Sequence, residues 1–431
     1  MSYDHLQRAL RGSLAFGYRP SYKLIEKRIL RRRKIPQAVQ NQNEVPFLCS
    51  NPDMQTRPLT LDFSHGGFTL MVSPPSAGKT FALRGLVGEL IESGYKCVDL
   101  CSIKNNFLYG QWPLQEKFHK WLPPWREPKA LPVVPFEPLY LFQKQKKRLK
   151  NCSLGQISLK DISSIDLIKS TLSLDEFEPK AQLIKYVWDD KHPPKNIDDL
   201  MKKLQNASKK KQGLEMNLFQ KRTIGTLMRD IWDIRKENLF GETNNMDFVE
   251  VLNKGYFPCL CFNYDRSLKR YHQTYIATLA RQIYMAKVKG KLSGKIVFIW
   301  DDMGTLACPA RENPSCKDVI VNDLISLGRE KGIYNIGTTQ NLNQLPEDIV
   351  RQVKHFIFFG QIAGQDLDII AKTRNVRRSW LNEKLKRYQP VIYADGRRSC
   401  VVWSTGEGSG IKGKAFVGFV PAPNSYHHEQ D

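Results

Sequence analysis

From residue 67 onward, short apolar runs alternate with longer stretches whose apolar residues recur at helical spacing. Gly67–Val72 (GFTLMV), apolar but for Thr69, reads as a short buried strand. Residues 80–93 (TFALRGLVGELIES) then show helical apolar spacing, which Gly94 stops. Residues 95–100 (YKCVDL) return to a strand pattern. Such a β–loop–α–β unit favours a parallel sheet, because a crossover helix brings the second strand back beside the first in the same direction. Strand-like runs resume at 256–263, 295–300, 333–338 and 355–360, with helical segments predicted at 271–289, 318–331 and 346–353. Residues 390–393, a turn at Asp395-Gly396 and residues 399–403 read as a closing hairpin. The expected class is α/β, a mainly parallel sheet flanked by helices.

Residues 111–245 break this rhythm. They begin rich in Pro and Trp (QWPLQEKFHKWLPPWREPKALPVVPFEP) and become Lys- and Leu-rich with helical periodicity. They are expected to form an inserted, mostly helical subdomain. The predicted division is a basic arm over 1–55, partly helical between Arg11 and Arg33, and a first core part over 56–110. The insert at 111–245 follows, then a second core part over 246–405 and a flexible tail over 406–431. No internal repeat is present.

Directly after the first strand comes Ser73-Pro74-Pro75-Ser76-Ala77-Gly78-Lys79-Thr80. This is the P-loop pattern with its first Gly replaced by Ser73. Such a loop curls backbone N–H groups around a phosphate at a helix N-terminus. Pro74 and Pro75 lack an N–H, so the donors are expected from Ser76, Ala77, Gly78, Lys79 and Thr80. Lys79 is assigned to the β- and γ-phosphates of ATP, and Thr80 to Mg2+. The strand before and the helix after supply the context that chemistry requires. Gly408-Ser409-Gly410-Ile411-Lys412-Gly413 also matches a nucleotide pattern, G-x-G-x-x-G. Only eighteen residues follow it, too few for the βαβ unit the pattern serves, so a flexible basic loop is expected there.

The apolar run IVFIW ends in Asp301-Asp302. A carboxylate at the end of a strand neighbouring the P-loop strand can hold the Mg2+ water shell, and a second can deprotonate an attacking water. Asp301 is assigned to the metal and Asp302 to the water. A later strand ends in Thr338-Thr339-Gln340, where Gln340 can sense the γ-phosphate. Arg329 at a helix end fits a finger reaching a neighbouring subunit, and equally a charge offsetting the helix dipole. Arg351 is a second candidate for the finger.

Charge narrows the partners. Sixty-six Lys and Arg against forty-three Asp and Glu leave the chain at +23, which points to a polyanion. The runs Arg31–Lys34, 144–150 (KQKKRLK) and Lys209–Lys211, with residues 371–400, concentrate it. No apolar run approaches the ~20 residues of a membrane span, and no signal-peptide core is evident. Nine cysteines without a C-x-x-C, and eight histidines without ligand spacing, fit a reduced cytosolic chain rather than a disulfide or zinc framework.

The stretch from VFIWDDMG through SLGREKGIYNIGTTQNLNQLPEDIVRQVKHFIFFG resembles the core of the HerA–FtsK superfamily of DNA-pumping ATPases. Within it, the Asp301-Asp302 pair, Gly328-Arg329, Thr339-Gln340, Leu345-Pro346 and Arg351 are similar to the pattern of genome-packaging ATPases of poxvirus-type and double-jelly-roll-capsid viruses. The resemblance covers 65–110 and 255–375. It implies a P-loop NTPase fold and a homo-oligomeric ring, a hexamer, with ATP sites between subunits and double-stranded DNA through the centre. It also implies Arg329 as the trans-acting finger, with a capsid vertex or portal-like protein as a further partner. A host-cytoplasmic or virion-associated location goes with it. Ser73 departs from the pattern, and so does the 222-residue interval from Lys79 to Asp301. Inserted helical domains also occur in conjugation ATPases, so plasmid mobilisation is the alternative function. A nucleotide-gated DNA-binding protein without turnover is the third.

Overall fold

Period-two alternation builds the molecule in two apolar layers on either side of one sheet. A computed structural model of the 431-residue chain describes residues 44–49, 58–63, 67–75 and 77–103. From there to 425 it describes all but 104, 106, 117–118, 120–121, 146–148, 150, 190–191, 210–220, 263–264, 361, 387–397, 405–414 and 424. The strands in chain order are β1 (Glu44–Cys49), β2 (Pro58–Asp62), β3 (Gly67–Val72), β4 (Lys96–Ser102), β5 (Val133–Pro138), β6 (Ser153–Gly155) and β7 (Ile157–Ser158). They continue as β8 (Phe240–Gly241), β9 (Phe257–Cys261), β10 (Ile296–Trp300), β11 (Ile333–Thr339), β12 (Val353–Phe358), β13 (Arg398–Ser404) and β14 (Ala415–Val420). Twelve of them join in the order β2-β1-β14-β13-β12-β3-β11-β10-β4-β9-β5-β6, and β7 and β8 pair separately.

From β12 to β6 every pairing is parallel, whereas β13, β14, β1 and β2 add an antiparallel flank. Alternate residues face opposite layers. Leu70 and Val72 of β3, with Phe298 and Trp300 of β10, enter one core, while Met71, Val297 and Ile299 enter the other. Helix α1 (Lys79–Glu92) fills the second layer. Its Glu89 is bridged by buried Arg126, whose Nη1 also donates to the Ala422 carbonyl at 2.6 Å. Burial pushes Glu89 above the usual carboxylate range, and the Arg126 charge opposes that shift.

The first layer holds the insert's helices α2 (Pro179–Val187), α3 (Ile197–Lys209) and α4 (Lys221–Lys236), with the long helix α5 (Lys269–Val288). Leu200, Leu204, Leu227, Ile231 and Ile234 join the same core as Leu70 and Phe298, so the insert is continuous with the sheet's packing. Helices α6 (Glu347–Gln352) and α7 (Gly364–Arg374) flank β12.

Several expectations are corrected. The insert does not begin cleanly at 111, because β5 and β6 extend the main sheet. Pro135 and Pro138 disguised β5 as a loop. Its partners β9 and β6 overlap only at Phe136, and a proline is tolerated where one side of a strand is unpaired. The tail expected from 406 contains β14, which pairs with both β13 and β1. The arm expected over 1–55 contributes β1 to the sheet, while its residues up to 43, including Arg31–Lys34, lie outside the described residues. So do 390–393, Asp395-Gly396 and the Gly408–Gly413 stretch; β13 pairs instead with β12 and β14. The segment predicted as one helix over 318–331 is an α-turn at Ser315–Asp318, a π-helix at Val319–Leu327 and a 3-10 turn at Gly328–Lys331. Among the described residues no helix is long and apolar enough to cross a membrane.

Candidate functional site

The loop after β3 is anchored before its helix begins. The Ser73 amide donates to the Thr339 carbonyl at 3.2 Å, and the Ser73 hydroxyl to the Pro74 carbonyl at 3.0 Å. On the other side, Phe359 N–H donates to the Val72 carbonyl at 2.9 Å. Gly360 then turns at φ 72°, and a Cβ there would sit 3.3 Å from the Pro74 ring. Gly78 takes a left-handed conformation, φ 98°, as the N-cap of α1. Only glycine adopts this readily, and it aims the first amides of the helix outward. The helical ladder starts with Ala82 N–H to the Gly78 carbonyl at 3.1 Å. Among the described residues no side chain caps this end and no acid occupies its first turn, so the positive end of the dipole suits an anion. Ala77, Gly78, Lys79 and Thr80 all lie here; Ser76 is outside the described residues.

Asp301 and Asp302 follow β10 and are 2% and 6% exposed. They do not sit on the strand beside β3. β11 lies between β3 and β10, so the Thr-Gln strand end separates the loop from the acids. The Thr338 hydroxyl donates to Asp301 Oδ1 at 2.8 Å and accepts the Asp302 amide at 2.8 Å. Asp302 has φ 50°, a left-handed conformation that costs any residue with a Cβ and is least unfavourable for Asp and Asn. That turn brings its carboxylate within 3.8 Å of Lys79 Nζ, and Gln340 Nε2 donates to Oδ2 at 3.4 Å. Lys79, Asp301, Asp302 and Gln340 thus converge at the C-terminal ends of β3, β11 and β10, with Thr80 half-buried in the first turn of α1.

The loop beyond Gln340 packs on the turn that follows the acids. Ala310 N–H donates to the Gln344 carbonyl at 2.9 Å, and a Cβ on Gly304 would lie 2.6 Å from Gln344 Cβ. Buried Asp366 receives the Leu342 amide at 2.9 Å and holds the loop from behind.

Two adjacent buried carboxylates lie here, one of them 3.8 Å from the Lys79 ammonium. Carboxylate and hydroxyl oxygens suit a hard cation such as Mg2+. Among the described residues no three His, Cys, Asp or Glu side chains form a ready-made metal cage.

Asp99 on β4 went unnoticed in the sequence. It is fully buried, its Oδ1 accepts the Cys101 amide at 3.0 Å, and its acidity is coupled to the charge of Asp301. Burial, with the Asp301 charge adding to it, pushes Asp99 up to about 8. Thr338 was also missed, although it occupies the strand end quoted for its neighbours. A strand period of two puts it on the face of Ile336, toward α1, and that was the available signal.

Arg329 and Arg351 are not brought to this site. Both are exposed and precede the parallel strands β11 and β12, at the edge opposite the phosphate loop. The length of β11, at about 3.3 Å per residue, separates Arg329 from Gln340 by roughly 20 Å.

No protein-family model matches the sequence, and no curated protein is similar to it. Solved structures are similar in fold. VirB4 of Thermoanaerobacter pseudethanolicus aligns with TM-score 0.50 at 10% identity, over 88% of this chain and 96% of that one. The bacterial conjugative coupling protein TrwB aligns with TM-score 0.50 at 10% identity, over 90% of this chain and 94% of that one. The chain shares its fold with these two proteins. The genome packaging NTPase B204 from Sulfolobus turreted icosahedral virus 2 aligns at TM-score 0.35 and 10% identity, over 82% of this chain and 96% of that one.

Proposed function

We propose that this chain is an ATP-driven translocase of double-stranded DNA. The observation that carries the reading is the convergence of Lys79, Asp302 and Gln340 beside a helix N-terminus that no side chain caps. The backbone amides of Ser76 through Thr80 hold the β-phosphate, and Lys79 swings from Asp302 to the β- and γ-phosphates. Thr80 and Asp301 hold Mg2+, which when bound supplies charge neutralisation between the phosphates. Asp302 takes a proton from the attacking water, whose oxygen bonds to the γ-phosphorus as the bond to the β–γ bridging oxygen breaks. Gln340, already on Asp302, registers whether the γ-phosphate is present.

The placement of Arg329 and Arg351 at the far edge supports a ring in which one subunit's edge meets the next subunit's phosphate loop. A homo-hexamer with DNA in the centre is the arrangement we infer, and the net charge of +23 supports a polyanionic track. The Asp301-Asp302 pair, where related pumps usually carry Asp-Glu, favours genome packaging, with a capsid vertex or portal-like partner and a host-cytoplasmic or virion location. The coupling protein TrwB shares this fold over most of both chains, and that favours plasmid mobilisation as the second reading.

Displacement of a triplex-forming strand from duplex DNA tests translocation. ATP should drive displacement and a non-hydrolysable analogue should not. Hydrolysis without displacement would leave an ATPase that does not move on DNA.

A further inference from the structure

The solvent face of α4 carries a charge pattern that the ATP site does not use. Leu227, Ile231 and Ile234 turn inward, with Ile224 and Met228 partly covered. On the opposite side Arg222, Arg229 and Lys236 are exposed at intervals of seven residues. Seven residues advance a helix by about 10.5 Å and nearly two turns, so three cations stand in one row about 21 Å long. Trp232, 40% exposed, stands between the last two. The Arg235 guanidinium lies 4.8 Å from its ring centroid and the Lys236 ammonium 5.9 Å. An exposed aromatic ring thereby orders two long cationic side chains that would otherwise sample many rotamers.

The acids nearby are largely engaged elsewhere. Asp230 holds Lys180 at 2.7 Å, Glu237 holds Lys144 at 2.9 Å, and Asp198 holds Arg235 at 3.2 Å. Only Asp233 stands exposed in the row, and among the described residues neither Arg222 nor Arg229 forms an ion pair. Duplex DNA carries closely spaced phosphates along both strands, so a row of cations about 21 Å long can lie against several of them at once.

We propose that this face of α4 is a sequence-independent contact for the DNA backbone, extending the track beyond the ATPase core. The inference rests on the translocase reading and assigns the insert a part in it.

The test is the salt dependence of duplex-DNA binding by the full chain with Mg2+ and a non-hydrolysable ATP analogue. Wild type is compared with the triple variant Arg222→Ala/Arg229→Ala/Lys236→Ala. A control, Lys289→Ala/Lys291→Ala/Arg311→Ala, removes equally exposed cations elsewhere. Each lost phosphate contact lowers the slope of log K against log salt by about 0.9, so the triple variant should lose about 2 to 3 in slope. Its affinity at low salt should fall at least tenfold, with ATPase activity in the absence of DNA unchanged and the control close to wild type. An unchanged slope, or equal losses in both triples, overturns the assignment while leaving the translocase reading standing. Absence of DNA binding by wild type would remove both.

Discussion

Thr338 donates its hydroxyl proton to the Asp301 carboxylate at 2.8 Å, and the same oxygen receives the Asp302 amide. One side chain on β11 therefore fixes both acids that follow β10. Replacement by Val keeps the shape and removes both bonds. A hydrogen bond to a charged group is worth about 1.5–3 kcal/mol, so Thr338→Val should lower kcat for ATP hydrolysis about ten- to hundredfold. KM for ATP should stay near wild type, and Thr338→Ser should recover most of the rate. Equal activity of the Val and wild-type chains would show that Thr338 does not position the pair.

Asp99 gives a pH signature. Its usual value of 3.8 is raised to about 8, first by burial and then by the Asp301 charge. Between those values the folded chain carries the proton and the unfolded chain does not. Folding then takes up a proton, and stability falls as pH rises through this window and levels off above about 8. The loss amounts to about 1.4 kcal/mol per pH unit at most. Asp99→Asn stays neutral throughout, so its stability advantage over wild type should widen from pH 5 to pH 8 in urea unfolding without Mg2+. Parallel pH profiles would contradict a protonated Asp99.

Arg329 stands roughly 20 Å from Gln340 of its own chain, a span that no arginine side chain bridges. A catalytic role then requires a neighbour's site. Arg329→Ala and Asp302→Asn chains should each be inactive alone, and mixing them should restore part of the ATPase activity. Mixed assemblies without recovery would return Arg329 to a helix-end charge, its other reading.

The phosphate loop and the acidic pair were legible because each follows a short, largely apolar strand, GFTLMV and IVFIW, where a parallel sheet concentrates its chemistry. What lay between them was not. That β11 separates β3 from β10 follows from packing of the whole sheet, and no local spacing encodes it. β5 was masked by its prolines, and β14 by the Gly-rich stretch before it. Asp99 looked like a lone acid in YKCVDL; only the neighbouring strands make it a buried acid coupled to Asp301. The π-helix at Val319–Leu327 keeps an apolar pattern close to the α-helical one, so its widened hydrogen bonding leaves no trace in the sequence.

The most direct test of the account is the rate of phosphate release from ATP, with and without duplex DNA, by wild type and Asp302→Asn. The account predicts hydrolysis that requires Mg2+, rises several-fold with duplex DNA, and falls at least a hundredfold, about 2.7 kcal/mol, in the Asn variant. A rate indifferent to DNA, or an Asp302→Asn chain as active as wild type, would contradict it.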